Sequence, residues 1–162
     1  EAWSVARLAA TEVYRQIKPV DHLPALAVLP QLSYVSVGHS APGKYKCDVV
    51  LKEKFPPEVW ALIESLELGG QLARVVIRRL ALRQHIPPHV DDWMPQEADW
   101  RRFQVPLVSH PAIRMRWPDD GVEVHLAPGW LYEVRFNRTH EVVNEADVER
   151  VHLQIDQVDA TI

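Results

Sequence analysis

From Leu72 onward, apolar and polar side chains alternate along the chain in short segments that are separated by turns. This alternation is typical of strands, because successive side chains of a strand point to opposite faces. Pro118-Asp119-Asp120-Gly121 and Pro128-Gly129 are typical turn sequences. We predict strands at residues 73–82, 86–92, 102–108, 112–117, 122–126, 130–136, 139–143 and 150–157. Eight short strands with such turns fit a double-stranded β-helix, which is a jelly-roll or cupin-like fold.

The first 70 residues combine helical patterns with short apolar runs. Apolar residues at 6, 9, 13 and 17 recur at helical spacing before Pro19, which predicts an amphipathic helix over Ala2–Ile17. We also predict a short helix from Asp21 to near Pro30, strands at Leu32–Val37 and Tyr45–Leu51, and a helix from Pro56-Pro57 to Leu66. The predicted fold is therefore mainly β with α, in one domain over 1–162. Region 1–70 supplies helices that buttress a β-helix core at 72–158.

One strand end combines two side chains that can bind a metal. In His89-Val90-Asp91, the His and the Asp lie two positions apart and therefore share one face of an extended strand. His140 follows later in the chain and could supply a third ligand. Two His and one carboxylate on one face of an octahedral ion form the facial triad of non-haem Fe(II) oxygenases. The alternative is a solvated loop, since a His-x-Asp pair also arises by chance.

An arginine lies a short way after the third candidate ligand in the sequence. Arg150 comes ten residues after His140. A 2-oxoglutarate cosubstrate that chelates iron through its keto acid end needs a fixed cation for its distal carboxylate. A guanidinium offers two parallel charge-assisted hydrogen bonds to such a group. The alternative for Arg150 is a surface ion pair with Glu149 or Asp147.

Taken together, the C-terminal half resembles the iron(II)/2-oxoglutarate-dependent dioxygenases. More narrowly, it resembles the aspartyl/asparaginyl β-hydroxylase family, with its bacterial and phage members and the related free-proline hydroxylases. The resemblance covers about residues 72–158 and is carried, in order, by Ile86-Pro87-Pro88-His89-Val90-Asp91, Arg102-Phe103-Gln104-Val105-Pro106-Leu107-Val108, His140-Glu141-Val142-Val143-Asn144 and Arg150-Val151-His152-Leu153. It implies that His89, Asp91 and His140 hold Fe(II). It also implies that Arg150 and Arg102 bind 2-oxoglutarate, with O2 as the other cosubstrate.

The sequence departs from the family pattern in two places. Gln104 stands where the family often has His, at a position that also faces the cosubstrate; Gln still donates a hydrogen bond but carries no titratable charge. The loop before the metal strand, often Gly-rich in the family, here reads Leu82-Arg83-Gln84-His85. Asp91 places the chain nearer the bacterial branch, since the animal aspartyl hydroxylases lack a carboxylate ligand at this point.

Each of two strands has a polar face and an apolar face. Whether the polar face points into the barrel determines whether its residues can line a site. Val151, Leu153 and Ile155 alternate with Arg150, His152 and Gln154, and Phe103, Val105 and Leu107 alternate with Arg102 and Gln104. Most amphipathic strands turn the polar face to solvent. The family resemblance favours the inverse, in which the apolar faces pack under the N-terminal helices and the polar faces line the barrel mouth. Pro106 interrupts its strand and predicts an edge strand or a bulge.

Four further residues are candidates for a second shell around the metal or for substrate contacts. His152 shares a face with Arg150, and Arg78 is a candidate for a contact with the cosubstrate. Asn137 could orient His140 or could be a turn residue. Trp93 could cover the substrate or belong to a partly packed loop.

Composition narrows the partners and the compartment. The net charge of the 162 residues is −4, which argues against a nucleic-acid binder. No apolar stretch reaches transmembrane length, so we expect no membrane partner. Cys47 is the single cysteine, and with Fe(II) and 2-oxoglutarate it suits a cytoplasmic protein. We expect a small-molecule or peptide substrate; the oligomeric state is not predicted.

The resemblance implies hydroxylation of a C–H bond in an amino-acid side chain, with release of succinate and CO2. The amino acid could be in a peptide, free or carrier-bound. Two other classes stay open from the sequence. One is a cupin-like metal-binding protein without 2-oxoglutarate, for which Arg150 and Arg102 would be unnecessary. The other is a ligand-binding barrel without catalysis.

Overall fold

The computed structural model describes residues 5–28, 36–37, 55–92 and 99–159. Within them the helices are α1 (Leu23–Val28) and α2 (Pro57–Ser65), and a single 3-10 turn covers Pro118–Asp120. The strands are β1 (Tyr14–Pro19), β2 (Ser36–Val37), β3 (Gln71–Leu80), β4 (His85–His89), β5 (Asp99–Val108), β6 (Ile113–Trp117), β7 (Val122–Val124), β8 (Trp130–Val134), β9 (His140–Asn144) and β10 (Arg150–Asp159). None of the helices in these ranges is long and apolar enough to span a membrane.

The strands form two antiparallel sheets. The larger has six strands in the order β1-β8-β5-β10-β3-β2, and the smaller has four in the order β4-β9-β6-β7. Neighbours in each sheet are mostly distant in sequence, as in a jelly roll. The predicted double-stranded β-helix is confirmed, and each of its eight strands is present with bounds that shift by a few residues.

The main core lies between the larger sheet and the two helices. Val151, Leu153 and Ile155 of β10 are buried in one cluster with Val59 and Leu62 of α2. The apolar faces of β3 and β5 join the same cluster. The apolar sides of the central strands therefore pack under the helices, as the family resemblance favoured. The opposite, polar sides face the smaller sheet.

The helices of the support region follow the sequence signals. Oδ1 of Asp21 accepts a hydrogen bond from the backbone N–H of Leu23 at 3.4 Å, where α1 begins. A proline opens α2, a position at which its missing N–H costs nothing. Both helices are confirmed. β2 falls within the predicted strand Leu32–Val37; the rest of that strand and Tyr45–Leu51 lie outside the described residues.

The predicted helix over Ala2–Ile17 is wrong. Tyr14–Pro19 is a strand at the edge of the larger sheet, paired with β8, and residues 5–13 contain no helix. Distant arginines satisfy the backbone carbonyls of this segment: Arg135 donates from Nε to Glu12 O and from Nη2 to Ala9 O, each at 2.8 Å. Tertiary hydrogen bonds thus replace those that a helix would make, and they override a weak helical pattern.

Pro106 lies in the interior of the sheet and not at an edge. β5 runs between β8 and β10, so the edge interpretation is wrong. Opposite Pro106, the register of β10 against β5 shifts: Val151 pairs with Val108 and His152 with Pro106, which leaves Leu107 without an opposite residue. The bulge interpretation is confirmed, and it accommodates a residue that has no N–H to donate.

Candidate metal and anion site

Three potential metal ligands converge between the two sheets. His89 ends β4, His140 begins β9, and the two are register partners in the smaller sheet. Asp91 follows β4, and its backbone N–H donates to Phe136 O at 3.2 Å. One ligand atom from each of the three side chains lies within 4.8 Å of the others. The predicted triad residues are therefore brought together in a cluster that could hold a metal ion.

Backbone carbonyls fix the orientation of both imidazoles. Nδ1 of His89 lies 2.8 Å from Pro87 O, and Nδ1 of His140 lies 2.7 Å from Arg138 O. Because a carbonyl only accepts, each Nδ1 carries a hydrogen, and Nε2 is the nitrogen of each ring that can offer a lone pair to a metal. These Nε2 atoms lie 3.5 and 3.4 Å from the oxygens of Asp91. A metal ion between these atoms would accept a lone pair from each Nε2 and one from a carboxylate oxygen, so this donor set fits a metal ion.

Asp91 is in the ionised form that metal ligation requires. Burial by itself raises the pKa of its carboxyl group, but the neighbouring His140 and the charge of Arg102 outweigh burial and hold the pKa well below its usual range. Two neutral imidazoles and one carboxylate on one side of an ion leave other coordination positions open. The cluster thus has the donor atoms of a metal site with open coordination positions.

A cavity of about 170 Å³ opens beside this cluster. Its polar lining consists of the triad together with Arg78, Arg102, Gln104, Arg150 and Gln154. Its apolar lining consists of Ile86, Met115, Val134, Phe136 and Val142. The polar faces of β5 and β10 therefore point into the interior, as the inverted assignment predicted.

Two arginines in this cavity have no anionic partner among the described residues. Arg150 is only 4% exposed, and neither it nor Arg78 forms an ion pair or hydrogen bond with any of them. Burial and the charge of Arg78 lower the pKa of Arg150 to about 9, so it stays cationic at neutral pH. The alternative of a surface ion pair for Arg150 is wrong, because Glu149 pairs with Arg79 and Asp147 pairs with Arg83. A buried cation without a described counter-ion favours an anionic ligand, because an isolated buried charge is costly.

Arg102 also reaches the cavity, but its charge is balanced. Its Nε lies 2.7 Å from Oδ1 of Asp156, its Nη2 lies 3.2 Å from Oδ2 of the same residue, and its Nη1 donates to Asp91. The ring of Phe136 lies 5.4 Å from its guanidinium carbon. Three of the five N–H groups of Arg102 are thus engaged by protein carboxylates.

Two glutamines complete the polar lining of the cavity. Oε1 of Gln104 lies 2.8 Å from Nδ1 of His152, so that His152 can orient the Gln104 amide. Gln154 lines the cavity, and its Nε2 is buried without a hydrogen-bond partner among the described residues. The sequence reasoning placed Gln154 on the polar face of its strand but did not count it, or Asp156, among the site residues. The period-two pattern of β10 was the signal that could have found both.

Comparison with known families matches residues 46–159 to the aspartyl/asparaginyl beta-hydroxylase family. The chain belongs to this family. The match confirms the predicted class of enzyme, a dioxygenase or hydroxylase, and it supports 2-oxoglutarate-dependent hydroxylation as the general reaction. A comparison with curated proteins found no match.

Solved structures show the same fold at low identity. The viral collagen prolyl hydroxylase from Paramecium Bursaria Chlorella virus-1, as its 2OG complex, is 9% identical, with a TM-score of 0.58 over 93% of this chain and 97% of that one. EvdO2 from Micromonospora carbonacea, complexed with 2-oxoglutarate, is 12% identical, with a TM-score of 0.57 over 98% and 94%. AviO1 from Streptomyces viridochromogenes is 13% identical, with a TM-score of 0.56 over 92% and 90%. These neighbours support the predicted fold.

Two of the remaining candidate residues, Asn137 and His152, do not line the cavity beside the triad. Asn137 is exposed at a bend before β9, which supports the turn interpretation, and it lines a second cavity of about 170 Å³. His152 lies in the second layer, behind Gln104, and does not line the main cavity. Trp93 lies outside the described residues.

Buried His152 makes folding stability depend on pH. Burial, together with the charges of Arg150 and His125, lowers the pKa of His152 well below its usual value. The unfolded chain takes up a proton at this ring below about pH 6.5, whereas the folded protein does not. The free energy of unfolding is therefore unaffected by this group above about pH 6.5. Below that pH it decreases as the pH falls, by up to about 1.4 kcal/mol per pH unit.

We expect the His152→Asn variant to lose less folding stability than wild type when the pH is lowered. Asparagine keeps a donor for Gln104 but does not titrate. Urea unfolding of both proteins at about pH 7.5 and about pH 5.5 measures the loss of unfolding free energy between these two pH values. We expect this loss to be about 1 kcal/mol larger in wild type than in the variant. Equal losses in the two proteins would contradict the assignment of a neutral, buried ring.

Proposed function

We propose that this protein is an Fe(II)- and 2-oxoglutarate-dependent oxygenase that hydroxylates a C–H bond of an amino-acid side chain. The observation that carries the proposal is the coexistence, in one cavity, of a His-Asp-His cluster and a buried Arg150 that has no anionic partner among the described residues. A metal-binding cupin without a cosubstrate needs the first feature but not the second. Both features together suit a chelating dianion such as 2-oxoglutarate.

In this proposal His89, Asp91 and His140 hold the iron. Their two Nε2 lone pairs and one carboxylate are the ligand set of a facial triad. Bound Fe(II) with 2-oxoglutarate supplies the activation of O2, the oxidative decarboxylation to succinate and CO2, and the oxidising power for the C–H bond. The protein contributes ligand geometry: Pro87 and Arg138 carbonyls hold the rings so that both Nε2 atoms face the cluster.

The cosubstrate is held by cations and amides of the larger sheet. Arg150 is the proposed partner of the distal carboxylate, through two parallel hydrogen bonds. Arg78 adds a second guanidinium without a described partner, on the neighbouring strand β3. Gln104 and the two N–H groups of Arg102 that have no acceptor among the described residues are proposed contacts to the remaining oxygens of 2-oxoglutarate.

The apolar wall of the cavity keeps water from the reacting centre. Met115 and Val142 of the smaller sheet and Val134 of the larger sheet line the same cavity as the triad. Apolar side chains offer water no hydrogen bonds, and less water at the site protects a reactive oxidant from quenching. This dry wall is also the surface available to an apolar part of the substrate.

The substrate class rests on the family and on one neighbour. The family is described by hydroxylation of aspartyl and asparaginyl residues, and the viral neighbour is a prolyl hydroxylase. Both descriptions name amino-acid side chains. We propose an amino acid that is peptide-borne, free or carrier-bound.

An ultraviolet-visible titration under argon tests the proposal. Fe(II) followed by 2-oxoglutarate is expected to give a weak metal-to-ligand charge-transfer band, because the keto acid chelates the iron. Succinate release under air, screened over amino acids and peptides, then identifies the substrate. Metal binding without the band would instead favour a cupin-like metalloprotein, and no metal binding would favour a non-catalytic barrel.

A further inference from the structure

Asp156 is a buried carboxylate on the cavity side of β10. It has no exposed surface, and it lies directly opposite Arg102 in the pairing of β10 with β5. Its two oxygens accept from Nε and Nη2 of Arg102 at 2.7 and 3.2 Å. This side-on, bidentate contact fixes the plane of the guanidinium and leaves Nη1 pointing away from Asp156.

The free end of the guanidinium contacts Asp91. Nη1 of Arg102 donates to Oδ2 of Asp91, which leaves Oδ1 as the oxygen without an arginine contact. Phe136 supports the arrangement twice, with its ring 5.4 Å from the guanidinium carbon of Arg102 and its carbonyl 3.2 Å from the backbone nitrogen of Asp91. Asp91 is thus held at its backbone and at one carboxylate oxygen.

The charges distinguish Arg102 from the other arginines of the cavity. Arg150 and Arg78 have no anionic partner among the described residues, whereas Arg102 lies between two carboxylates. The group of Asp91, Arg102 and Asp156 therefore carries a net charge of about −1, which attracts a divalent cation. Without Asp156, the full charge of Arg102 would act on Asp91 alone and would oppose the cation.

We propose that Asp156 is a positioning residue for the metal site, which it serves through Arg102. It fixes the guanidinium that aligns the Asp91 carboxylate, and it balances the charge of that guanidinium. The inference rests on the metal site of the proposed function. Groups that orient metal ligands change metal affinity by about 10–100-fold when they are replaced.

The test is the binding of Mn(II) to chelator-treated Asp156→Asn in the absence of oxygen. Asparagine keeps the shape and one acceptor but loses the charge and the bidentate contact. We expect calorimetry to show Mn(II) affinity lower by about 10-fold or more. We expect the affinity for 2-oxoglutarate, measured at saturating Mn(II), to change by a smaller factor. The electron paramagnetic resonance spectrum of bound Mn(II) reports the altered ligand field independently of turnover.

Asp147→Asn is the matched control. Asp147 also accepts from an arginine Nε, that of Arg83 at 2.9 Å, but on the exposed surface. This variant is expected to bind Mn(II) like wild type. Unchanged Mn(II) affinity in folded Asp156→Asn overturns the inference, as does a loss of 2-oxoglutarate affinity larger than the loss for Mn(II).

A second variant covers the case in which Asp156→Asn does not fold. Arg102→Lys keeps the cation, but a point charge cannot bridge two carboxylates. The inference requires lower Mn(II) affinity here as well, and wild-type affinity overturns it. Failure of the wild-type protein to bind Mn(II) would instead reject the proposed metal site, so the two failures are distinguishable.

Discussion

Replacing His89 or Asp91 with alanine is expected to abolish turnover, because each change removes one of the three protein ligands of the proposed iron. His89 and His140 each present Nε2 to the cluster, and Asp91 contributes the charge. Loss of an imidazole leaves one nitrogen and one carboxylate. Asp91→Ala is expected to retain weak metal binding, since two imidazoles remain. Succinate release and Mn(II) calorimetry together measure the two effects.

The chain offers a matched control for each change. His85 lies exposed on the same strand as His89, and Asp92 is an exposed neighbour of Asp91. His85→Ala and Asp92→Ala are expected to keep both metal affinity and turnover. Full substrate hydroxylation by His89→Ala, without added imidazole, would reject the metal assignment.

Period-two alternation made most of the larger sheet predictable. It located the strands, and in β10 it separated Val151, Leu153 and Ile155 from Arg150 and its neighbours on the other face. It did not by itself say which face is interior. The family resemblance supplied that, because a buried polar face contradicts the ordinary preference of amphipathic strands.

The N-terminal strand was not predictable from local pattern. Residues 6, 9, 13 and 17 have helical spacing, but the carbonyls of this segment are bound by Arg101 and Arg135, which lie more than 80 residues away. Local propensity is weak, and contacts between such distant residues decide the outcome. For Asp156, the alternation of β10 predicts the face of the strand, but nothing in that strand predicts the pairing with Arg102 across the sheet.

The triad shows how far a short motif is informative. His-x-Asp predicts a shared face for two ligands, and the structure brings His140 beside His89 through the pairing of β4 with β9. The partner strand and its register are properties of the fold. They became predictable only because several motifs occur in the order and spacing of one family.

Arg150→Ala is expected to weaken 2-oxoglutarate binding by about 30-fold or more, while Mn(II) affinity changes little. Arg150 is buried and has no anionic partner among the described residues, so the distal carboxylate of the cosubstrate would be its counter-ion. Truncating one partner of a buried charge pair costs about 2–5 kcal/mol. Each 1.4 kcal/mol corresponds to about a tenfold change in affinity. Calorimetric titration of 2-oxoglutarate into Mn(II)-loaded protein without oxygen measures the change.

Two further variants separate three effects: the paired hydrogen bonds of the Arg150 guanidinium, its positive charge, and the general effect of losing an arginine. Arg150→Lys is expected to recover only part of the affinity, because an ammonium cannot make two parallel hydrogen bonds. Arg83→Ala removes an exposed arginine that pairs with Asp147 on the surface, and it is expected to bind 2-oxoglutarate like wild type. If Arg150→Ala also binds like wild type, the distal carboxylate is held elsewhere. Arg78, the other cavity arginine without a described partner, is then the residue to replace next.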